Sequence, residues 1–286
     1  TMAASSAQAS VIQGPLWKGR NWAAHAGAGS IHDDATANDL GFRGGTVPGD
    51  VHLNQFPATL VEVFGAAWFE RGHLSVNFKN ATVDLEPVRV LVKQTAPDLA
   101  EVWMEREDGL LVCQGTAGLG NLERAYLHAM DLRPCNPAEL KILRRATPGA
   151  SLGEYALHLT ADKQFERFDQ GLLSNPLPLF RETSKWGGVV ACPSTFIQYL
   201  WGPPMDGLRP LVGEAVGLFG AIEIAQIHGP FLLDRDYVIR SEVVSVGQSP
   251  KTEFLWYDSN AWDGDQAVAS MRMQLRFMKA SSKEYS

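Results

Sequence analysis

The chain has few cysteines, no long apolar run and no excess of positive charge, and each of these absences excludes a class of protein. Its three cysteines, Cys113, Cys135 and Cys192, are odd in number and widely spaced, which fits neither a disulfide framework nor a zinc site. No apolar run is long enough to span a bilayer. The formal net charge is −7, and no basic stripe is available to bind a nucleic-acid backbone. We therefore expect no membrane and no nucleic-acid partner.

Sequence motifs that hold metals, nucleotides or serine nucleophiles are also missing. The chain contains no Gly-x-Ser-x-Gly elbow, no Gly-Lys-Ser/Thr phosphate loop and no His-Glu-x-x-His helix. We therefore expect no metal and no other cofactor. The first ten residues have neither the basic start nor the apolar run of a signal peptide, and the predicted location is the cytoplasm.

The hydrophobic pattern predicts a helix followed by a sheet. Hydrophobic residues make up 45% of the 286 residues and charged residues 20%, which is typical of a globular chain of two domains or one large one. Apolar residues recur at helical spacing from Leu53 to Ala67, and Pro57 predicts that this helix is kinked or made of two pieces. Strand-like runs follow at residues 74–79, 83–94, 100–106 and 110–118.

The second half of the chain repeats this plan. The segment Trp186–Pro193 echoes Arg43–Gly49, and each is followed by an apolar helical segment, which is residues 195–201 in the second half. Strand-like runs then follow at residues 221–227, 237–246, 252–257 and 267–278. Matching positions have a nearly constant offset, which is typical of a duplicated unit. We predict domains at 1–132 and 153–286, joined by a proline-containing linker at 133–152 with one short helix at 138–145.

Two segments carry a resemblance to a known family. Gly41-Phe42-Arg43-Gly44-Gly45-Thr46-Val47-Pro48-Gly49 resembles the signature of MaoC-like (R)-specific enoyl-CoA hydratases, and Asn175-Pro176 with Trp186–Pro193 resembles the other repeat of the double-hotdog members. The resemblance implies an α+β double-hotdog fold, in which each of two tandem repeats wraps an antiparallel sheet around a central helix. It also implies a cofactor-independent hydratase or dehydratase acting on a β-hydroxy or α,β-unsaturated acyl thioester, such as an acyl-CoA, or on a similar carbonyl compound. A homodimer of the whole chain is left open.

The chain departs from the family where the family carries its catalytic residues. Alignment on Gly41-Phe42 places Ile31 at the position of the family's catalytic histidine, and His32 follows one place later. The second half has no histidine at its corresponding position. His32 with Asp33 or Asp34 is therefore the candidate acid–base pair for adding water to the substrate. The alternative for the aspartates is that they cap a short helix at residues 35–40.

Further candidates lie at the start of the long helix. Gly49 is predicted to offer its backbone N–H to the thioester carbonyl. Asp50 and His52 lie on the first turn and point to different faces, so we expect one of them to reach the pocket. Asn54 corresponds to the acidic residue of the acyl-carrier-protein dehydratases, which the chain also resembles at Val47-Pro48-Gly49.

The remaining predicted substrate-binding residues, with Asn54, are Arg43 and Trp186. Arg43 suits a CoA phosphate, because a guanidinium matches phosphate geometry, although a surface charge is the alternative. Trp186 belongs to the second half, which is expected to shape an acyl pocket. Two other functions stay open at this point. One is non-catalytic binding of an acyl thioester or a hydrophobic small molecule, and the other is thioester hydrolysis with Asp50 as the reacting carboxylate.

Overall fold

The computed structural model describes residues 10–173 and 177–286. The predicted Asn175-Pro176 motif lies outside the described residues. Within these two ranges, no helix combines the length and the apolar character needed to cross a membrane.

The described strands form one antiparallel sheet. The strands are β1 (Val11–Gln13), β2 (Trp17–Lys18), β3 (Gly72–Phe78), β4 (Pro87–Ala96), β5 (Leu99–Arg106), β6 (Leu111–Leu119), β7 (Ser151–Leu159), β8 (Gly217–Gln226), β9 (Arg235–Gln248), β10 (Thr252–Asp263) and β11 (Gln266–Met278). Their order across the sheet is β1-β4-β5-β6-β3-β8-β11-β10-β9-β7, with β2 paired to β4. All eight predicted strands are present, whereas β1, β2 and β7 were not predicted.

The two halves of the chain meet at one seam in the middle of the sheet. Strand β3 of the first half pairs antiparallel with β8 of the second, from His73 opposite Ala225 to Asn77 opposite Ala221. Side chains alternate along β3, so Leu74 and Val76 join the main apolar core. The two repeats therefore share one continuous sheet and one core.

Several of the helices pack against strands of this sheet. They are α1 (Asp34–Asp39), α2 (Gly49–Leu53), α3 (Pro57–Phe64), α4 (Ala67–Arg71), α5 (Asp162–Asp169), α6 (Pro193–Trp201) and α7 (Met205–Leu208). The predicted long helix is divided into α2 and α3, and Pro57 begins α3, where its missing N–H costs nothing. Helices α2 and α6 occupy matching positions in the two repeats and pack against each other.

The linker is attached to the second half without forming the predicted helix at 138–145. A 3-10 turn spans Pro137–Glu139, and the backbone N–H groups of Lys141 and Leu143 donate to the two carboxylate oxygens of Glu253, each at 2.8 Å. Glu253 is fully buried, so these bonds supply the partners its carboxylate needs. The prediction of a helix here was wrong, because the backbone donors of this segment bind a side chain instead of the preceding turn.

Candidate active site

A cavity of about 820 Å³ lies between the first-half loops around α2 and the second-half elements α6, α7, β8 and β11. Its lining is largely apolar. The aromatic residues of the lining include Trp22, Phe42, Phe78, Trp201, Phe219 and Phe277. Among the residues that border it are four of the predicted catalytic residues: His32, Gly49, Asp50 and His52.

His32 is half-buried in the cavity wall, and a hydrogen bond sets its tautomer. Its Nδ1 lies 2.7 Å from the carbonyl oxygen of Thr46. A carbonyl oxygen only accepts, so Nδ1 carries the proton and Nε2 of the neutral ring is a proton acceptor. Ile31 borders the cavity as well, since residues 31–33 form a turn and not a strand with alternating sides. The shift of the histidine by one residue therefore does not remove it from the cavity.

Asp33 and Asp34 are occupied with local structure. Asp33 is the N-cap of α1, and its Oδ2 accepts from the backbone N–H of Thr36 at 2.9 Å, which lowers the pKa of the Asp33 carboxyl. Asp34 Oδ1 accepts from the backbone N–H of Gly45 at 2.6 Å. Neither aspartate borders the cavity. The capping role is thus observed for Asp33, and Asp34 binds the backbone of the glycine turn before α2.

Asp50 is the buried acid of the site. It has no exposed surface, and its Oδ2 accepts three hydrogen bonds, from Ser194 Oγ at 2.6 Å, Arg167 Nη2 at 3.2 Å and Gln198 Nε2 at 3.3 Å. Its Oδ1 is also buried and has no hydrogen-bond partner among the described residues. All three donors come from α5 and α6 of the second half, so both repeats build this site.

Sequence reasoning missed Arg167, Ser194 and Gln198. A signal was nevertheless present for the two α6 residues. Asp50 lies four residues after the bridge residue Thr46, and Ser194 lies four residues after its counterpart Val190. Asn54 and Gln198 are equivalent in the same way, since each lies eight residues after its bridge residue. Equivalent positions of two central helices that pack together are expected to meet, whereas nothing in the repeat pattern pointed to Arg167.

The three predicted substrate-binding residues lie outside the cavity lining. Asn54 is buried between α2 and α6, where its Oδ1 accepts from the backbone N–H of Ser194 at 3.3 Å. Arg43, with its side chain 53% exposed, forms an ion pair with Glu86 at 2.8 Å. Trp186 donates its indole N–H to Glu70 Oε1 at 3.2 Å.

Gly49 borders the cavity at the first position of α2, where a side chain would crowd the cavity wall. A Cβ atom at this position would lie 2.8 Å from Cζ of Phe78, closer than carbon atoms approach. Phe78 is itself part of the cavity wall. The glycine therefore lets the start of α2 lie directly against this wall.

His52 is buried beside Asp50 and stays neutral. Its Nε2 lies 2.7 Å from Thr82 Oγ1, and burial lowers the pKa of its imidazole to about 4. A neutral imidazole on the cavity wall can donate or accept a hydrogen bond but carries no charge near pH 7. In residues 10–173 and 177–286, no group of three or more His, Cys, Asp or Glu side chains is arranged to hold a metal.

The depressed pKa of His52 predicts that the protein loses stability on acidification. The unfolded chain binds a proton at this residue near pH 6.5, and the folded chain only near pH 4, so the unfolded state binds more protons between these values. The stability that depends on a neutral His52 is therefore fully present above pH 6.5 and is lost as the pH falls. The loss reaches about 2 kcal/mol at pH 4.5. Urea unfolding at pH 7 and pH 4.5 measures it.

Two variants test this assignment. His52→Gln should lose less stability than the unchanged protein between the two pH values. The control, His158→Gln, alters an exposed ring paired with Asp236 at 2.8 Å and should keep the full pH dependence. An equal loss of stability in His52→Gln and the unchanged protein would contradict the assignment.

Comparison with known proteins identifies the fold through structure alone. No family model and no curated protein matches the sequence. A conserved hypothetical protein from Mycobacterium tuberculosis, described as having a double hotdog fold, is 12% identical with a TM-score of 0.61, covering 95% of this chain and 97% of that one.

Two further solved structures carry names that match the predicted family. A MaoC domain protein dehydratase from Chloroflexus aurantiacus is 8% identical with a TM-score of 0.59, covering 94% of this chain and 95% of that one. A MaoC-like dehydratase is 15% identical with a TM-score of 0.54, covering 95% and 99%. The predicted likeness to these proteins is confirmed at the level of the fold, and the chain is an α+β double hotdog.

Proposed function

We propose that the protein is a cofactor-independent hydratase or dehydratase that acts on a β-hydroxy or α,β-unsaturated acyl thioester, an acyl-CoA. One observation carries the proposal. His32, whose Nε2 can take a proton, and Asp50, which has one unpartnered oxygen, border the same largely apolar cavity. A proton acceptor and a buried carboxylate beside an apolar pocket suit the addition of water to a conjugated thioester.

In the proposed hydration, His32 acts as the base and Asp50 orients the reacting water. His32 Nε2 removes a proton from water as the water oxygen bonds to C3 of the enoyl group. The imidazolium then delivers that proton to C2, so the product is the substrate plus one water. Asp50 accepts a hydrogen bond from the water through Oδ1, and its negative charge stabilises the imidazolium. Dehydration follows the same steps in reverse.

The start of α2 supplies the group that polarises the thioester. The first N–H groups of a helix have no acceptor within the helix, and Gly49 borders the cavity. In the proposed complex, the Gly49 N–H donates to the thioester carbonyl, which carries negative charge as the bond to C3 forms. Asp33 and Asp34 have no part in this scheme, since they bind Thr36 and Gly45.

The cavity lining contains groups that suit both parts of an acyl-CoA. Trp201, Leu208 and Phe219 of the second half contribute to an apolar lining for the acyl group. Lys79 and Arg209 are exposed and border the cavity. In the proposed complex these two cations bind the phosphates of CoA, in place of Arg43.

The proposal extends to the organisation and location of the chain. Strands β3 to β6 and β8 to β11 fall on opposite sides of the seam, which supports domains at 1–132 and 153–286 with a linker at 133–152. A cytoplasmic location is proposed because acyl-CoA esters are intracellular substrates. The oligomeric state of the whole chain, including a homodimer, is left to measurement.

A product analysis tests the function. The full-length protein is incubated with 2-enoyl-CoA and 3-hydroxyacyl-CoA esters of increasing chain length, and the conjugated thioester is followed by absorbance and mass spectrometry. We expect interconversion of the two esters with gain or loss of one water and no free thiol. Release of free CoA would instead indicate hydrolysis with Asp50 as the reacting carboxylate. A copurified acyl ligand without turnover of any ester would indicate a binding protein.

A further inference from the structure

We propose that Arg167 is a positioning residue for Asp50. It holds Oδ2 of this carboxylate, while the buried Oδ1 has no partner among the described residues and is the oxygen that accepts from water in the proposed complex. This role rests on the proposed function, because it concerns the carboxylate that orients water there. Arg167 belongs to α5 of the second half, 117 positions from Asp50, and no sequence motif marked it.

The hydrogen bonds of Asp50 are unequally divided. An ionised carboxylate has two equivalent oxygens and about four sites for accepting hydrogen bonds. Here Oδ2 accepts from Arg167, Ser194 and Gln198, and the buried Oδ1 has no partner among the described residues. Of the three donors, Arg167 alone is positively charged, so it supplies the charge that a fully buried carboxylate requires. The carboxylate is thereby compensated on one side only.

Arg167 is itself held between two groups of the site. Its side chain is 17% exposed, and its guanidinium lies over the ring of Trp22, 5.1 Å from the centroid. Trp22 borders the cavity. A guanidinium that stacks on an indole while it donates to a carboxylate has little freedom to rotate. The direction of the Asp50 carboxylate is therefore set by a rigid neighbour and not by a flexible surface charge.

The second half also fixes where α5 stands relative to α6. Gln164, buried on α5, donates to the carbonyl oxygens of Phe180 at 2.6 Å and Val190 at 3.0 Å, and accepts from the backbone N–H of Cys192 at 2.9 Å. Cys192 is the N-cap residue of α6. Gln164 thus ties α5 to the start of α6, so that Arg167 and Ser194 approach Asp50 together.

A double-mutant cycle separates positioning from a structural ion pair. Arg167→Gln, Asp50→Asn and the double variant are compared in kcat and KM on the best substrate of the wild-type protein. We expect Arg167→Gln to lower kcat about 30-fold with KM changed by less than about twofold, since a misplaced group costs catalysis more than binding. In the Asp50→Asn background, the Arg167→Gln change should lower kcat no further.

Two more variants complete the experiment. Arg167→Lys keeps the charge and should recover part of the lost kcat. If circular dichroism shows that Arg167→Gln fails to fold, Arg167→Lys replaces it in the double-mutant cycle. The matched control is Arg181→Gln. Arg181 also pairs with a carboxylate, Asp169 at 2.7 Å, and also lies over a ring, Phe168 at 5.4 Å, but neither of these partners borders the cavity, whereas Asp50 and Trp22 do. Its kcat should equal that of the wild type.

The possible results distinguish this role from the function on which it rests. An active wild type whose Arg167→Gln variant keeps its kcat would overturn the positioning role alone. So would a loss of kcat that persists unchanged in the Asp50→Asn background. A wild type without hydratase or dehydratase turnover on any ester would overturn the proposed function, and the role of Arg167 with it.

Discussion

Replacing His32 by alanine is expected to lower kcat by about 10²- to 10⁴-fold, with KM changed little. A positioned acid–base group contributes rate enhancement of this size, and alanine removes the only atoms with which His32 can accept a proton. The Thr46 carbonyl, which accepts from Nδ1 of the ring, loses one hydrogen bond, so stability should fall by only about 1 kcal/mol. Steady-state kinetics on the ester identified in the product analysis, with urea unfolding of the same samples, measures both effects.

The control for this experiment is His158→Gln. His158 is exposed, pairs with Asp236 and does not border the cavity, so its loss should leave kcat unchanged. If His32→Ala turns over as fast as the wild type, His32 has no role in proton transfer, and Asp50 would be the remaining candidate base. A loss of kcat that is matched by loss of the folded state would count against a catalytic role as well.

Asp50→Asn is expected to lower kcat by about 100-fold and the free energy of unfolding by roughly 2 kcal/mol. The amide keeps an oxygen to accept from Ser194, but it loses the negative charge that stabilises the imidazolium of His32. It also leaves Arg167 without its carboxylate, and breaking one partner of a buried pair destabilises the fold. The cost is kept moderate because Arg167 retains 17% exposure and its stacking on Trp22. Steady-state kinetics measures the change in kcat, and urea unfolding measures the change in the free energy of unfolding.

A second Asp–Arg pair provides the control for Asp50→Asn. Asp258 accepts two hydrogen bonds from Arg272, at 2.8 and 2.9 Å, on a part of the sheet that does not border the cavity. Asp258→Asn removes the same charge from a comparable pair and should leave kcat at the wild-type value. If Asp50→Asn loses stability but keeps its kcat, the carboxylate has a structural role only.

Local patterns explain why most of the fold could be predicted. Alternation of apolar and polar residues depends only on neighbouring positions, and it indicated strands such as β11, where Met271, Met273 and Leu275 are buried on one face. Pro57 marked the start of α3 for an equally local reason, the missing N–H. The linker segment 138–145 was predicted wrongly because its backbone donors bind Glu253, more than a hundred residues away.

The candidate site was also predicted only in part, and again the residues that were predicted are those marked by local patterns. His32, Gly49, Asp50 and His52 border the cavity; His32 lies just before α1, and the other three lie in α2. Asp33 has the capping role that was its open alternative, because its carboxylate lies within hydrogen-bonding distance of the Thr36 N–H three residues later. Arg43 binds the nearby Glu86 instead of facing the cavity.

The amino-acid sequence by itself determined that the chain has two repeats, each a helix with a sheet, and it placed all of the candidate site residues except Trp186 between His32 and Asn54. The helix and strand patterns rest on spacings of a few residues, and the repeat rests on a nearly constant offset between matching positions. Only the tertiary structure decided which groups complete the site, because Arg167 and Ser194 stand 117 and 144 positions from Asp50. Ser194 reaches the Asp50 carboxylate through the packing of α2 on α6, and Arg167 reaches it from α5, which Gln164 ties to the start of α6. A buried charge is compensated by the groups that this packing brings within hydrogen-bonding distance.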